Sequence, residues 1–232
     1  MNREKQNLLP TTLGTIRNFA WVIPGALARG EQPELEPTVF NLLRETGVSA
    51  VLSLRPDREP SSPNARRPWP EYHVEDEQAV AEAAGLRFAH WPLEDFCAPA
   101  PEQVVGALTI LDMLVDEGRA VYVHCRAGAG RAGLVSGAWG VTRGLSGDDA
   151  ADNYVRFMAH IGDALEYTAE QWATFARRVG QPYVWWALCE VVAALGSPVT
   201  RQQPRLLPAE KPPDADHWED GYRQLLRPWR KS

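Results

Sequence analysis

The sequence predicts an α/β fold, with a central, mainly parallel sheet flanked by helices and a helical C-terminal extension. Three observations predict it. Short apolar runs such as VSAVLSL (48–54) and AVYVH (120–124) alternate with segments of helical spacing, the order of a parallel sheet covered by helices. Several of the helical segments stop at a glycine (Gly47, Gly85, Gly118), the usual residue just past a helix end. The chain has 232 residues, 44% of them apolar and 23% charged, enough for one such domain and an extension.

Taken in order, residues 1–18 are expected to form an N-terminal arm. FAWVIPGALARG (19–30) holds strand-like residues broken by Pro24-Gly25, which predicts a short hairpin or an edge strand. Val39, Leu42 and Leu43 have the spacing of a short amphipathic helix over 37–47. The run 48–54 is apolar and reads as a buried strand. Residues 55–69 are rich in Pro, Ser and Arg, as in a long surface loop. A helix over 75–85 and a strand over 86–91 follow. After a Pro-rich loop, residues 101–118 make a helix with Pro at its start and Gly at its end. A strand over 120–124 leads to a helix starting near Arg131. Ser146-Gly-Asp-Asp opens another, with a capping residue and early acids that suit the helix dipole. Further helices are expected over 168–179, 183–195 and 218–226. The domain division is then an arm (1–18), a main domain (19–180) and a helical extension with a Pro-rich tail (181–232).

Composition excludes some functions. The net charge is −6, so a general electrostatic case for nucleic acid or a membrane surface is missing, and an anionic substrate needs a local positive site. Cys97, Cys125 and Cys189 are odd in number and widely spaced, which suits a reducing compartment better than a disulfide scaffold. The N-terminus MNREKQNLLP lacks the apolar stretch of a signal peptide, and the apolar run 184–195 is too short to span a bilayer and contains Glu190. A soluble, cytoplasmic protein is expected.

The segment VHCRAGAGRAG (123–133) carries the chemistry. A turn that follows a buried strand and opens a helix is an anion site, because backbone N–H groups converge there and the helix N-terminus adds partial positive charge. Gly128 and Gly130 let the backbone wrap closely around a ligand. Such a cradle favours the thiolate of Cys125, the form of cysteine that acts as nucleophile. Arg131 offers a planar fork to two phosphate oxygens. Thiolate, amide cradle and arginine together are what phosphoryl transfer to sulfur requires. The plain alternative is a buried core cysteine at an ordinary βα turn, but this pattern of His, Cys, Gly and Arg arises too rarely by chance to favour it.

His-Cys-x-x-Gly-x-x-Arg resembles the signature of the cysteine-dependent protein tyrosine and dual-specificity phosphatases. The resemblance implies the dual-specificity phosphatase fold. It makes Cys125 the nucleophile and Arg131 the phosphate binder, with the backbone of Arg126, Ala127, Gly128, Ala129 and Gly130 as the substrate cradle. His124 then has a structural role. The segment HWPLEDFCAPAPEQ (90–103) resembles the acid loop of the same group, which makes Asp95, thirty residues before Cys125, the general acid, with Glu94 as the local competitor. DFCAPAP and WVIPGALARGEQP are similar to segments of the small, atypical VH1-like enzymes, and the likeness runs from about residue 19 to 179. Gln171 is the candidate for orienting the hydrolytic water, against the reading of an exposed helix glutamine. Arg55 faces the substrate or is a surface arginine. Cys97 is an ordinary loop residue or, as in some relatives, a partner of the nucleophile. Ala129 stands where phosphoinositide phosphatases often carry a basic residue, which favours a phosphoprotein substrate.

Ala132 departs from the pattern. Most members have Ser or Thr after the arginine, whose hydroxyl stabilises the departing thiolate. The phosphatases of regenerating liver also show Arg-Ala and a Trp-Pro-x-acid-Asp loop, which WPLED matches. The expected function is hydrolysis of phosphomonoesters on a phosphorylated protein through phosphocysteine, with no cofactor or metal. The alternatives are a phosphatase for phosphoinositides or other non-protein phosphates, and a slow-turnover module that binds phospho-ligands. Trp185, Trp186, Trp218 and Trp229 of the extension could form a partner surface, and burial against the main domain is the favoured use. The sequence leaves the oligomeric state open.

Overall fold

Alternate residues of the central strands face opposite sides, and the helices divide accordingly. The computed structural model describes residues 10–60, 71–164, 168, 170, 171, 173, 174, 181–201 and 209–230. Among the described residues the sheet has six strands, β1 (Thr11–Leu13), β2 (Ile16–Ile23), β3 (Leu27–Gly30), β4 (Ala50–Ser53), β5 (Arg87–His90) and β6 (Val121–His124), in the order β1-β2-β3-β6-β4-β5. Its parallel part is β3, β6, β4 and β5. Leu27, Ala50, Leu52, Val121 and Val123 enter one apolar cluster, while Ala28, Val51 and Tyr122 enter another. That period of two is the pleat of a strand buried on both faces. Helices α1 (Pro37–Glu45) and α2 (Val74–Ala83) cover the second face. The first is covered by α3 (Pro101–Asp116), α4 (Gly130–Thr142), α5 (Gly147–Ala164), α6 (Gln181–Ala194) and α7 (Trp218–Leu225).

The predicted helix ends hold, with Gly47, Gly85 and Gly118 in the left-handed conformation just past α1, α2 and α3. Ser146 caps α5, accepting from the Asp149 N–H at 3.0 Å.

Two expectations change. Strands β1 (Thr11–Leu13) and β2 (Ile16–Ile23) begin inside the stretch read as an arm, and pair antiparallel with each other and, through β2, with β3. Ile16 and Asn18 are buried and anchor this edge, a signal too short for periodicity to reveal. In the expected surface loop Arg55 and Glu59 are buried, because they pair with each other and with the site below; residues 61–70 lie outside the described residues. The expected 168–179 helix also lies largely outside them, although 170, 171, 173 and 174 are helical. The 181–232 extension packs against the main domain, the favoured use of its tryptophans. Trp185, Trp186, Tyr222 and Leu226 join the same cluster as Val121 and Val123, and Trp218 and Trp229 pack against its edge.

The register positions the site. His124 at the end of β6 lies opposite both Gly30 of β3 and Ser53 of β4, and Ser53 lies opposite His90 of β5. Four strands therefore stop in line, and the loops after them gather at the carboxyl edge of the sheet, where open α/β sheets bind ligands.

Candidate active site

Residues 125–130 turn directly from β6 into α4. The turn is tied from outside. The Arg126 carbonyl accepts from the Gln32 N–H (3.1 Å), and the Ala127 carbonyl accepts from the Asn18 side-chain amide (2.9 Å). Gly128 has φ +76, and a Cβ there would overlap the backbone of Gly30 and Glu31, so this position requires glycine. Gly130 differs from expectation: it has ordinary helical backbone and opens α4. The first N–H groups of α4 have no intrahelical acceptor and are free for an anion.

Cys125 is buried and reduced, and its thiol lies within electrostatic reach of Arg131 and Arg29. Arg131 is also buried, and its Nη1 donates to Glu59 Oε1 (2.9 Å) and to the Leu93 carbonyl (3.1 Å). Its Nη2 lies 3.1 Å from Asp95 Oδ2, an ion pair off hydrogen-bond geometry. Nε and Nη2 therefore form one guanidinium edge with no hydrogen-bond acceptor, the edge suited to two oxygens of a phosphate.

Asp95 stands on the 92–100 loop after β5, with Oδ1 accepting from the Phe96 N–H (3.1 Å). Burial pushes its carboxyl above the ordinary carboxylate range, Arg131 opposes, and Glu59 adds to the rise; the net effect is upward. The shift favours the protonated form. Glu94, its competitor, is exposed. Cys97 is exposed as well, and partial burial, then Glu94 and Asp95, push its thiol up, so it stays protonated.

Sequence reasoning missed Glu59. Its Oε2 accepts from Arg55 Nε (2.5 Å) and lies 3.3 Å from Arg126 Nη2, while Oε1 holds Arg131. Burial alone would raise its pKa, but Arg131, Arg55 and Arg126 outweigh that and keep it ionised. Arg55, left open between substrate and surface, is buried with its guanidinium over the Tyr72 ring (4.3 Å). No sequence signal marks Glu59, because an acid among Pro, Ser and Arg reads as solvated.

A second hidden group braces His124. Its Nε2 sits 2.8 Å from Glu77 Oε1, and Glu77 also accepts from Tyr72 Oη (2.7 Å) and Gln32 Nε2 (3.1 Å). All of it is buried, in accord with a structural role for His124.

The structure does not bring Gln171 to this cluster. It is exposed, and its Oε1 accepts from the Thr168 N–H (2.9 Å) in a local helix cap. Gln181, at the start of α6, is the nearer glutamine. It is buried, its Nε2 donates to Tyr154 Oη, and its Oε1 lies 3.9 Å from where a Cβ on Gly130 would be. Among the described residues no group of three or more His, Cys, Asp or Glu side chains could hold a metal ion, and no helix is long and apolar enough to cross a membrane.

The sequence model of a family described as polymorphic toxin system, DSP-PTPase phosphatase, matches residues 29–145. Among solved structures, TpbA from P. aeruginosa is 17% identical, with a TM-score of 0.51 over 83% of this chain and 99% of that one. Tk-PTP in its active form is 25% identical (TM-score 0.43, 68% of this chain, 92% of that one). The catalytic domain of the PP-IP phosphatase SIW14 from S. cerevisiae is 20% identical (TM-score 0.47, 61% and 76%).

Proposed function

Because the chain belongs to the DSP-PTPase phosphatase family described for polymorphic toxin systems, we propose that it hydrolyses phosphomonoesters of phosphorylated proteins, on tyrosine and on serine or threonine, through a phosphocysteine intermediate. The observation that carries this reading is the Nε/Nη2 edge of Arg131, buried beside Cys125 without a hydrogen-bond acceptor, its Nη2 3.1 Å from the Asp95 carboxyl, whose pKa is raised.

In the first step the Cys125 thiolate attacks phosphorus while the bond to the leaving oxygen breaks, and Asp95 gives that oxygen its proton. Arg131 and the amides of 126–130 hold the equatorial oxygens as their charge develops. In the second step water attacks the phosphocysteine, Asp95 takes a proton from it, and the thiolate leaves with its electron pair. We assign the orientation of that water to Gln181, buried near Gly130, rather than to the exposed Gln171. The reaction uses no metal.

A second reading has its own support. Arg126 Nε and Arg55 Nη2 are buried with no hydrogen-bond acceptor. Donors in excess of one phosphate suit a substrate with a second anionic group, such as an inositol phosphate. A panel of phosphotyrosine, phosphoserine and phosphothreonine peptides against phosphoinositides and inositol phosphates, run with the parent and with Cys125→Ser, tests both. Release of phosphate from the peptides by the parent, abolished in Cys125→Ser, is expected. Release from the inositol compounds alone would establish the second reading, and activity of Cys125→Ser within tenfold of the parent would remove the phosphocysteine step.

A further inference from the structure

The 92–100 loop carries Asp95 between two roots, and they are held differently. At the front, the Leu93 N–H donates to the Leu54 carbonyl (3.0 Å) and its own carbonyl accepts from Arg131. The middle is strained: Phe96 has φ +60, a conformation that a non-glycine residue keeps only where its surroundings enforce it. At the back, Ala98 and Pro99 are buried, and α3 begins at Pro101, which has no N–H to offer. The Pro99 carbonyl is met instead by the Tyr222 hydroxyl of α7, 123 residues away in the chain.

Tyr222 is fully buried against Trp186 (ring centroids 6.3 Å apart). Next to it, Gly221 is so close to the loop's end that a Cβ would come within 2.8 Å of Pro101 Cγ. Asp214, just ahead of α7, adds its field at Cys97. The Tyr222 hydrogen bond and the close approach of Gly221 therefore join the C-terminal segment to the loop and to the first turn of α3. The segment lies outside the 29–145 region that defines the family match.

We propose that residues 209–230 are a strap on the acid loop, and that Tyr222 is a positioning residue whose hydroxyl fixes Pro99 and so keeps Asp95 beside Arg131. The proposal rests on the reading of Asp95 as the general acid.

The test compares the parent, Asp95→Asn, Tyr222→Phe and Gly221→Ala, well below their unfolding temperatures. kcat and KM are measured across pH for phenyl phosphate, a poor leaving group, and dinitrophenyl phosphate, a good one. Tyr222→Phe is expected to lower kcat on phenyl phosphate about three- to tenfold, the range of one net hydrogen bond. KM and turnover of the activated ester should stay put. The basic limb of the profile should move to lower pH, because a loosened Asp95 gains solvent. Gly221→Ala keeps the hydroxyl and pushes on Pro101, and should shift the same quantities in the same direction. Equal losses on both esters in the two strap variants, or no loss on either, overturn the strap while Asp95→Asn still shows the leaving-group dependence. If Asp95→Asn shows none, the acid assignment fails and the strap falls with it.

Discussion

At Asp95 burial and two neighbouring charges act in opposite directions, and under the proposed mechanism their balance sets the pH range of the acid step. Burial raises the carboxyl, Arg131 lowers it, Glu59 raises it again, and the result lies above the ordinary carboxylate value. The protonated form is the one that can donate, so turnover of poor leaving groups should fall as pH rises through this raised value. Asp95→Asn should remove that limb and cost roughly 10²- to 10⁴-fold on phenyl phosphate, the usual yield of general acid catalysis. An unchanged profile in the variant would shift the role to another group. Ala132, fully buried in the first turn of α4, concerns the second step. It offers no hydroxyl to the departing thiolate, so phosphocysteine should accumulate and the parent should show a burst of one equivalent of alcohol before a slower steady state. Ala132→Ser adds a donor to a charged acceptor, worth about 1.5–3 kcal/mol, which corresponds to about ten- to a hundredfold in steady-state turnover. The burst rate should barely change. Stopped-flow traces without a burst, together with unchanged turnover in the serine variant, would show that breakdown is not limiting.

Between elements, one carboxylate joins the loop after β4 to the turn after β6. Glu59 faces Arg55, Arg126 and Arg131, so Glu59→Gln leaves three buried or half-buried cations without it. Breaking a buried pair costs about 3–5 kcal/mol. The pH signature follows from the lowered pKa. The carboxylate stabilises the folded chain above the ordinary glutamate value of 4.5, and this contribution is lost as pH falls through the lower folded value. The variant should therefore be less stable at neutral pH and lose less of its remaining stability below pH 4.5 than the parent, as read by chemical denaturation at several pH values. Equal slopes in the two proteins would remove Glu59 from the acid response. This element-scale network also marks where sequence reading stops. Cys125, Arg131 and the cradle lie within seven consecutive residues, so their chemistry shows as a local pattern, and the apolar runs around 50–53 and 121–124 show the strands. Glu59 meets Arg131 across 72 residues and Tyr222 meets Pro99 across 123. Nothing within either segment records its partner. Gln171 and Gln181 illustrate the same limit: both sit near helix starts, and only packing separates the solvated cap from the buried amide.

Over the whole molecule the charge is −6, yet Arg55, Arg126 and Arg131 gather at one edge of the sheet. Under the proposed function a phosphate is drawn by that local field and not by a general one. The same scale decides what the C-terminal segment is. Leu226 and Tyr222 share a continuous apolar cluster with Val121, Val123 and Cys125, so strands, site and segment should unfold together. Leu226→Ala tests this at a fully buried position away from the loop contacts of Tyr222. A leucine truncated in a core costs about 2–5 kcal/mol. At about 2–4 °C per kcal/mol for a chain of this size, the midpoint should fall by roughly 4–20 °C. The decisive feature is coincidence. Tryptophan fluorescence reports on the segment and α6 through Trp185, Trp186, Trp218 and Trp229, four of the nine tryptophans, while loss of phosphatase activity reports on the Cys125 turn. In the parent and in the variant the two should move along one transition, because a core shared by both cannot dissolve in one part alone. A fluorescence transition that shifts in Leu226→Ala while activity persists to the parent's midpoint would make the segment a separate unit laid on a self-sufficient phosphatase.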